Sequence, residues 1–370
     1  MPQSLNRDGI EGVSHAPEPG AGRVEIPSLD GLRAISIVLV LAGHAIKVGH
    51  HPLWFRVAFL HADLGVRVFF IISGFLITTL LLNERDQFGD ISLRNFYIRR
   101  AFRILPAFLL YVGAVALLSI FGVTYVPGWY WLYVATYTVN FGPFGVWALI
   151  HLWSLSVEEQ FYLLWPLVVK VARRRTCIVV AVLAIFASPF IHVLYRFGVP
   201  EMPMYAFPLV CGPIAMGCLL AINSRRVRDA VLSSKLLSDG RTLLFALPVI
   251  ALLDVIPESI PGVHGALPAV LIGIVTYSLV TLCVARLVFL PTGLAGRVLN
   301  SAAAVLIGKL SYSLYLWQQL FLNPFSRPTI STPFPVNCLL ILAAASASYW
   351  GLEVRFLDLR KRFRPRLQTV

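Results

Sequence analysis

The sequence predicts an all-α, polytopic integral membrane protein with about ten transmembrane helices and both termini in the cytoplasm. Hydrophobic residues make up 58% of the 370 residues and charged residues 13%, whereas a soluble domain has about 45–50% and 25%. Apolar runs of about 20 residues, each able to cross about 30 Å of hydrocarbon, recur along the chain. Lys and Arg are concentrated in alternate connections between these runs, which is typical of cytoplasmic loops.

Ten apolar segments account for the predicted spans. The alternating short strands of an outer-membrane barrel are not found. No Lys or Arg occurs between Arg103 and Lys170, so we expect that stretch to cross to the outer side and return. Because basic connections stay in the cytoplasm, the number of spans is predicted to be even. The predicted spans are residues 33–49, 63–82, 104–123, 151–171, 177–197, 204–222, 242–260, 265–289, 302–322 and 335–356.

Polar segments flank a transmembrane domain predicted over residues 28–358. Residues 1–27 are rich in Gly and Pro and lack the apolar core of a signal peptide, so we expect a flexible cytoplasmic tail. Residues 359–370 are predicted to form a basic cytoplasmic tail. The aromatic segment 129–140 is shorter than a span and is expected to form an interfacial or re-entrant helix at the outer face, where Trp and Tyr are common. The sequence leaves open whether this segment crosses the membrane.

The net charge of +13 is explained by this topology, so we expect the lipid bilayer, and not nucleic acid, as the partner of the basic surface. The five cysteines lie in or beside apolar runs without CxxC spacing, which favours core positions over metal binding or disulfides. Walker A, HExxH and GxSxG motifs are missing, and this disfavours an ATP-driven pump or a soluble-type hydrolase. The predicted location is the inner (cytoplasmic) membrane, crossed several times.

Ionisable side chains within spans are the candidate functional residues, since each costs about 2.5–3.5 kcal/mol at the bilayer centre and usually faces a cavity or a partner. Arg33 and His44 are eleven residues apart, so both share one helix face, with His44 about 16 Å deeper. A snorkelling Arg and a hydrogen-bonded core His would also explain this pair.

Two adjacent carboxylates, Glu158 and Glu159, occur at a depth that matches His44. Adjacent helical residues diverge by about 100°, so only one of the two can point fully inward. A carboxylate and an imidazole at one depth could form a general base and its orienting partner. Capping of a helix that begins near Ser154 or Ser156 is the alternative explanation.

Arg100 and Arg103 are three residues apart and therefore share a helix face at the predicted cytoplasmic surface. Guanidinium groups bind phosphate through paired donors, so these two residues could form a phosphate clamp. Anchoring of the topology by positive charge is the alternative.

Five segments in consistent order resemble acyltransferase family 3, the membrane O-acyltransferases of cell-surface polysaccharides, peptidoglycan and glycosides. The resemblance extends from Ser28 to about Arg360. The segments are LDGLRAISIVLVLAGH, GVRVFFIISGFLI, FYIRRAFRILP, WSLSVEEQFYLLWP and SYSLYLW.

The resemblance implies ten helices with cytoplasmic ends and a cytoplasmic acyl-CoA donor, most commonly acetyl-CoA, with no metal. The family's Arg-x10-His motif matches Arg33 and His44, and its RxxR motif matches Arg100 and Arg103. Of the paired glutamates, Glu158 matches the family position. His44 and Glu158 are therefore the expected catalytic residues, and the three arginines the expected acyl-CoA ligands.

Two positions depart from the family pattern. Arg67 stands where many members carry Asp, and Gln318 follows Trp317 where many members carry His, so Gln318 is left out of the catalytic set. We also expect none of the fused esterase-like domains that some members carry.

The predicted function is transfer of an acyl group, acetyl by preference, from acyl-CoA to a hydroxyl of a glycan or glycoside. A transporter or flippase of a lipid-linked or glycosidic substrate is the alternative, because buried ionisable residues also mark transport routes. The sequence leaves open the acceptor, the acyl length, the oligomeric state, and the choice between direct transfer and an acyl-His44 intermediate.

Overall fold

A computed structural model of the chain describes residues 27–46, 48, 62–143, 145–196, 205–259, 266–323 and 334–363. Every regular element in these ranges is a helix, and the predicted all-α class is confirmed. The predicted N-terminal tail, apart from Pro27, and residues 364–370 of the C-terminal tail lie outside the described residues.

The helices are numbered in chain order. The first part of the chain forms α1 (Pro27–Ala45), α2 (Ala62–Phe88), α3 (Leu93–Ile120), α4 (Tyr130–Ala135), α5 (Trp147–Ile150), α6 (Leu152–Val171) and α7 (Arg174–Arg196). The second part forms α8 (Phe207–Val210), α9 (Gly212–Ile222), α10 (Ser224–Ser233), α11 (Lys235–Ser238), α12 (Arg241–Ser259), α13 (Ala266–Phe289), α14 (Gly293–Leu299), α15 (Ala302–Phe321), α16 (Val336–Ser348) and α17 (Val354–Leu359).

Six helical segments in the described ranges are long and apolar enough to cross a membrane. Helices also occupy the other predicted positions, including α6 and α15. The total of ten spans and the cytoplasmic position of both termini stay predictions. The six segments are Ser28–Ala45, Asp63–Phe88, Leu93–Ile120, Arg174–Ile191, Val270–Phe289 and Val336–Phe363.

The aromatic segment 129–140 contains only the six-residue helix α4 and the first residues of a single 3-10 turn, Val139–Phe141. A six-residue helix is about 9 Å long, far short of a span. Trp129 and Leu132 are exposed, while Tyr130 and Val134 are buried. The segment is therefore a short amphipathic element whose two faces have different surroundings.

Glycines allow the helices around the centre to approach closely. Helix α1 packs against α2 and α15. A Cβ built on Gly308 of α15 would lie 1.9 Å from the carbonyl oxygen of Asp30 in α1. Between α2 and α9, a Cβ on Gly74 would lie 2.0 Å from the carbonyl oxygen of Ile214. Small residues at such crossings are the usual means of tight helix packing within membranes.

Helix α3 begins earlier than the predicted span at residue 104. The Ser92 side chain accepts a hydrogen bond from the backbone N–H of Asn95 at 3.4 Å and caps the helix, as Ser commonly does. The Arg-rich segment is therefore continuous with the apolar helix, and Arg100 and Arg103 project from one rigid element.

Ion pairs join the helix ends at the surface where α2 meets α3. Arg99 donates to Glu84 at 2.8 Å and to the carbonyl of Phe363 at 2.9 Å. Lys170 donates to both carboxylate oxygens of Asp90 at 2.7 and 2.6 Å, and this hydrogen bonding lowers the pKa of Asp90. The ends of α2, α3 and α6 and the last described turn are thus tied together.

Tyr349–Glu353 forms a turn of π-helix between α16 and α17. Wide turns of this kind re-aim side chains and occur frequently at functional sites. Here the turn buries Glu353, which accepts hydrogen bonds from Ser313 of α15 and, at 3.1 Å, from Ser348. Glu353 was not among the residues predicted for the site, because no helical spacing links it to the other candidate residues.

Candidate active site

Two neighbouring cavities lie among α1, α2, α3, α6, α15 and the C-terminal helix. The inner cavity, of about 100 Å³, is lined by residues that include Ser73, Arg100 and Glu158. The basic cavity, of about 210 Å³, is lined by five basic residues that include Lys309 and Lys361, and by three acidic ones, Asp30, Glu353 and Asp358. Arg33, Arg103 and Tyr312 line both cavities. These three shared side chains therefore form the boundary between the two spaces.

Glu158 of α6 lies in the wall of the inner cavity. Ser73 of α2 donates to one carboxylate oxygen at 2.8 Å, and Tyr162 donates to the other at 2.9 Å. Arg100 and Arg33 lie within electrostatic range of this carboxylate. Glu158 is thus held by two hydroxyl groups and faces the cations of the same cavity.

Glu159 points elsewhere, as the 100° rotation between adjacent helical residues requires. It does not contribute to the described lining of the inner cavity. Its Oε1 atom is buried without a hydrogen-bond partner among the described residues.

The three predicted acyl-CoA ligands occupy different places. The guanidinium carbon of Arg100 lies 3.9 Å from the ring centre of Tyr162, a cation–π contact. The Nε of Arg100 is buried without a hydrogen-bond partner in the described structure. Arg103 and Arg33 line both cavities, and Arg33 pairs with Asp30 at 2.7 Å. Arg100 therefore belongs to the inner cavity, whereas Arg33 and Arg103 face both spaces.

His44 lies near the C-terminal end of α1, outside the described linings of both cavities. Its Nδ1 is 2.9 Å from the carbonyl oxygen of Val40. A carbonyl only accepts, so Nδ1 carries the hydrogen and Nε2 of the neutral ring presents a lone pair. Trp147 meets the ring edge to face at 6.0 Å. The tautomer that a general base needs is therefore set by the backbone of α1.

The described hydrogen bonds do not join Glu158 to His44, the two residues expected to act as orienting partner and base. The hydrogen bonds of Glu158 go to Ser73 and Tyr162, and a backbone carbonyl already orients His44. The catalytic roles of His44 and Glu158 stay predictions, but the structure does not join them as a hydrogen-bonded pair.

His151 was not among the predicted site residues. It lies within electrostatic range of His44. The backbone N–H of His151 donates to Oε1 of Gln319 at 3.3 Å, and Nδ1 is 3.0 Å from the same atom. The backbone donor identifies that atom as the oxygen, so Nδ1 must carry a hydrogen. Its Nε2 is then an acceptor, buried without a hydrogen-bond partner among the described residues. The only sequence signal was an imidazole inside the apolar segment that contains Glu158.

Unpaired polar atoms also occur next to Gln319. Both amide atoms of Gln318 and the Nε1 of Trp317 are buried and lack hydrogen-bond partners in the described residues. Each such atom costs about 1–3 kcal/mol, so native proteins retain few of them. Among all the residues that the structure describes, no group of three or more His, Cys, Asp or Glu side chains is arranged to hold a metal ion.

Comparison with known proteins identifies relatives that are named as O-acetyltransferases. A putatively assigned O-acetyltransferase of Staphylococcus aureus strain COL is 28% identical over 358 residues, covering 90% of this chain and 56% of the relative. The O-acetyltransferase OatA of Staphylococcus aureus strain NCTC 8325 is 26% identical over 364 residues, with the same coverage. The chain thus spans 56% of the length of these relatives. No solved structure matches it significantly.

The sequence model of a family described as an acyltransferase domain matches residues 26–352. That range contains the five motif segments, Arg33, Arg100 and Arg103, and the whole described lining of the inner cavity. The resemblance predicted from the motifs is confirmed: this chain belongs to the acyltransferase 3 family.

Proposed function

We propose that the protein is a membrane O-acyltransferase that transfers an acyl group, by preference acetyl, from cytoplasmic acyl-CoA to a hydroxyl of a glycan or glycoside. The observation that carries this proposal is the pair of neighbouring cavities with Arg33 and Arg103 in both linings. A phosphorylated carrier with a long uncharged arm matches a space with several cationic groups that shares part of its wall with a second, smaller space. Family membership supports the same reaction class.

The phosphate groups of CoA would bind in the basic cavity. Arg33, Arg103 and Lys309 supply cationic donors there, and guanidinium groups bind phosphate through paired hydrogen bonds. The pantetheine arm would then pass Tyr312 into the inner cavity. This assigns the phosphates to two of the three predicted arginines and adds Lys309 to them.

Arg100 would take a different role, at the thioester. Its Nε–H is buried beside Glu158 and has no partner among the described residues. The hydroxyls of Ser73 and Tyr162 already donate to Glu158, so they are not available to a substrate carbonyl. Arg100 is therefore the proposed donor to the thioester oxygen, where negative charge develops during acyl transfer. Glu158 would hold this arrangement together and offset the charge of Arg100.

In the proposed reaction, His44 acts as the general base through Nε2. The acceptor oxygen attacks the thioester carbon while its proton passes to His44. The new carbon–oxygen bond forms as the carbon–sulfur bond breaks, and the sulfur leaves as a thiolate. The thiolate takes the proton from His44, so the products are the ester and free CoA. A two-step route, in which His44 is acylated first, uses the same residues.

The test is an assay of the purified protein in liposomes with acetyl-CoA labelled in the acetyl group and a panel of glycans. We expect free CoA to appear only with an acceptor, and the label to move to that acceptor. Movement of a glycan across the bilayer without consumption of acetyl-CoA would contradict the proposal and support the transporter. The His44→Ala variant, reconstituted to the same density, is the matched control for background hydrolysis.

A further inference from the structure

A cluster of buried polar atoms lies beside the proposed active site and is not used by the acyl donor. We define this polar cluster as His151, the residue immediately before α6, with Trp317 and Gln318 of α15. Gln318 is 0% exposed and His151 is 2% exposed. Four of their polar atoms have no hydrogen-bond partner among the described residues: Nε2 of His151, Nε1 of Trp317, and both amide atoms of Gln318. Such a concentration in three residues is unusual for a purely structural interior.

Two members of the polar cluster contact the same aromatic ring. Tyr111 of α3 meets His151 edge to face at 5.4 Å and Trp317 edge to face at 5.5 Å. Gln318 follows Trp317 directly and precedes Gln319, which orients His151. The cluster therefore occupies one region where α3, α6 and α15 meet.

The polar cluster lies further along the helix that supplies part of the inner cavity. Ser311 and Tyr315 line that cavity, and Gln318 lies seven and three residues further along the same helix, so all three share one stripe. The hydroxyl of Tyr315 donates to the carbonyl of His151 at 2.7 Å. His151 in turn lies within electrostatic range of His44. The cluster is thus joined to the lining of the inner cavity through Tyr315 and lies near the proposed base.

The unpaired atoms offer both kinds of hydrogen-bonding group. Gln318 supplies a donor and an acceptor, Trp317 supplies a donor, and Nε2 of His151 supplies an acceptor. A hydroxyl group both donates and accepts, so adjacent hydroxyls match this set. The rings of Tyr111 and Trp317 make the surroundings of these polar atoms apolar, as is common where a few polar groups orient a ligand. None of the three cluster residues is an acid, Lys or Arg, so a neutral ligand is favoured over an ionic one.

We propose that the polar cluster binds the acceptor, a neutral carbohydrate, through its hydroxyl groups and presents one of them to His44. This inference rests on the proposed function, since it assigns the second substrate of the same reaction. It makes Gln318 and His151 specificity-determining residues, because a site built to hydrogen-bond hydroxyl groups discriminates strongly against ligands that lack them.

The main test is Gln318→Leu in the full chain, with glucose and N-acetylglucosamine as probes. Binding of each sugar is measured without acyl-CoA by saturation-transfer NMR, and transfer is measured with acetyl-CoA. We expect about tenfold or greater weakening of sugar binding and a similar rise in the acceptor KM. The KM for acetyl-CoA should not change. The melting temperature should rise, because an apolar side chain replaces two unpaired polar atoms.

The matched control is Gln160→Leu. The amide of Gln160 is paired, with Asn140 at 2.9 Å and with the carbonyl of Tyr137 at 3.0 Å. Loss of these hydrogen bonds in Gln160→Leu should lower the melting temperature and leave the affinity for the sugars unchanged. His151→Asn is a second variant, since the Asn amide can still donate to Gln319 but removes the Nε2 acceptor; it should also weaken sugar binding.

The inference is overturned if the wild type binds neither sugar, or if Gln318→Leu and His151→Asn both retain wild-type affinity. A lower melting temperature of Gln318→Leu with unchanged affinity would give the residue a purely structural role. Failure of the proposed function has a different signature. In that case the wild type binds the sugars and Gln318→Leu lowers the affinity for them, but acetyl-CoA is not consumed.

Discussion

Arg100 and Tyr162 both line the inner cavity and are in contact there, with the guanidinium carbon 3.9 Å from the ring centre. The hydroxyl of the same tyrosine donates to Glu158 at 2.9 Å. One ring therefore carries a cation on its face and a carboxylate at its edge. Buried charges need nearby compensation, and this arrangement compensates both without a direct ion pair. The donor groups of Arg100 thus stay available to a substrate.

We expect Arg100→Gln to lower kcat by about 10²–10³, as loss of an oxyanion donor does. The KM for acetyl-CoA should change much less, because the phosphates are assigned to other residues. Steady-state kinetics of acetyl transfer would measure both constants. Arg94→Gln is the control, since Arg94 is exposed on the same helix and should leave both constants unchanged. If the two substitutions changed kcat equally, Arg100 would have only a general electrostatic role and would not donate to the thioester oxygen.

The opposite pattern is expected for Arg103→Gln. Loss of a charge-assisted hydrogen bond to phosphate should raise the KM for acetyl-CoA about 10- to 100-fold, with a smaller change in kcat. Competition by CoA and by 3′-dephospho-CoA shows which phosphate is involved. If Arg103 binds the 3′-phosphate, the two inhibitors become equal in the variant. Unchanged affinity for every CoA derivative would leave Arg103 as a topology determinant only.

His44→Ala should reduce transfer by at least about 10²–10⁴, the usual contribution of a general base. Size-exclusion chromatography in detergent would verify that the variant inserts and folds, because the position also packs against Trp147. A labelled protein band after mixing with acetyl-CoA alone, lost in the variant, would indicate the acyl-His44 route. Near-normal transfer by a folded His44→Ala protein would remove His44 from the mechanism.

Gly308→Val should separate α1 from α15 and lower the melting temperature. The added carbons would overlap the carbonyl of Asp30, and overpacking of this kind costs about 1–3 kcal/mol or more. Because α1 carries Arg33 and His44, transfer should fall as well. Gly113→Ala is the control, since a Cβ there meets nothing within 4 Å. Thermal unfolding in detergent, followed by tryptophan fluorescence, would compare the two; equal melting temperatures would contradict the tight crossing.

Local composition was sufficient to predict the helices. Apolar runs must satisfy their backbone hydrogen bonds within the segment, so a helix at each predicted position follows from the sequence alone. The same holds for Arg100 with Arg103, because residues three apart share a helix face wherever the helix lies. The start of α3 was missed, since the cap at Ser92 lies outside the apolar run.

Pairings between distant helices could not be predicted in this way. Depth along a helix suggested that Glu158 meets His44, but depth does not specify the direction of a side chain. In the structure Glu158 bonds to Ser73, 85 residues away, and His151 bonds to Gln319, 168 residues away. The π-helical turn at Glu353 likewise departs from the regular spacing on which sequence patterns depend.

Composition and motifs were enough to predict the helical membrane class, the family, and the ionisable residues that a membrane helix would otherwise exclude. Which of these residues share a cavity, the stacking of Arg100 on Tyr162, and the lack of a partner for the buried amide of Gln318 among the described residues became visible only in the packed helices. Helix formation and lipid burial depend on local composition. Hydrogen bonding between buried side chains depends on how helices far apart in the chain are rotated and packed against one another.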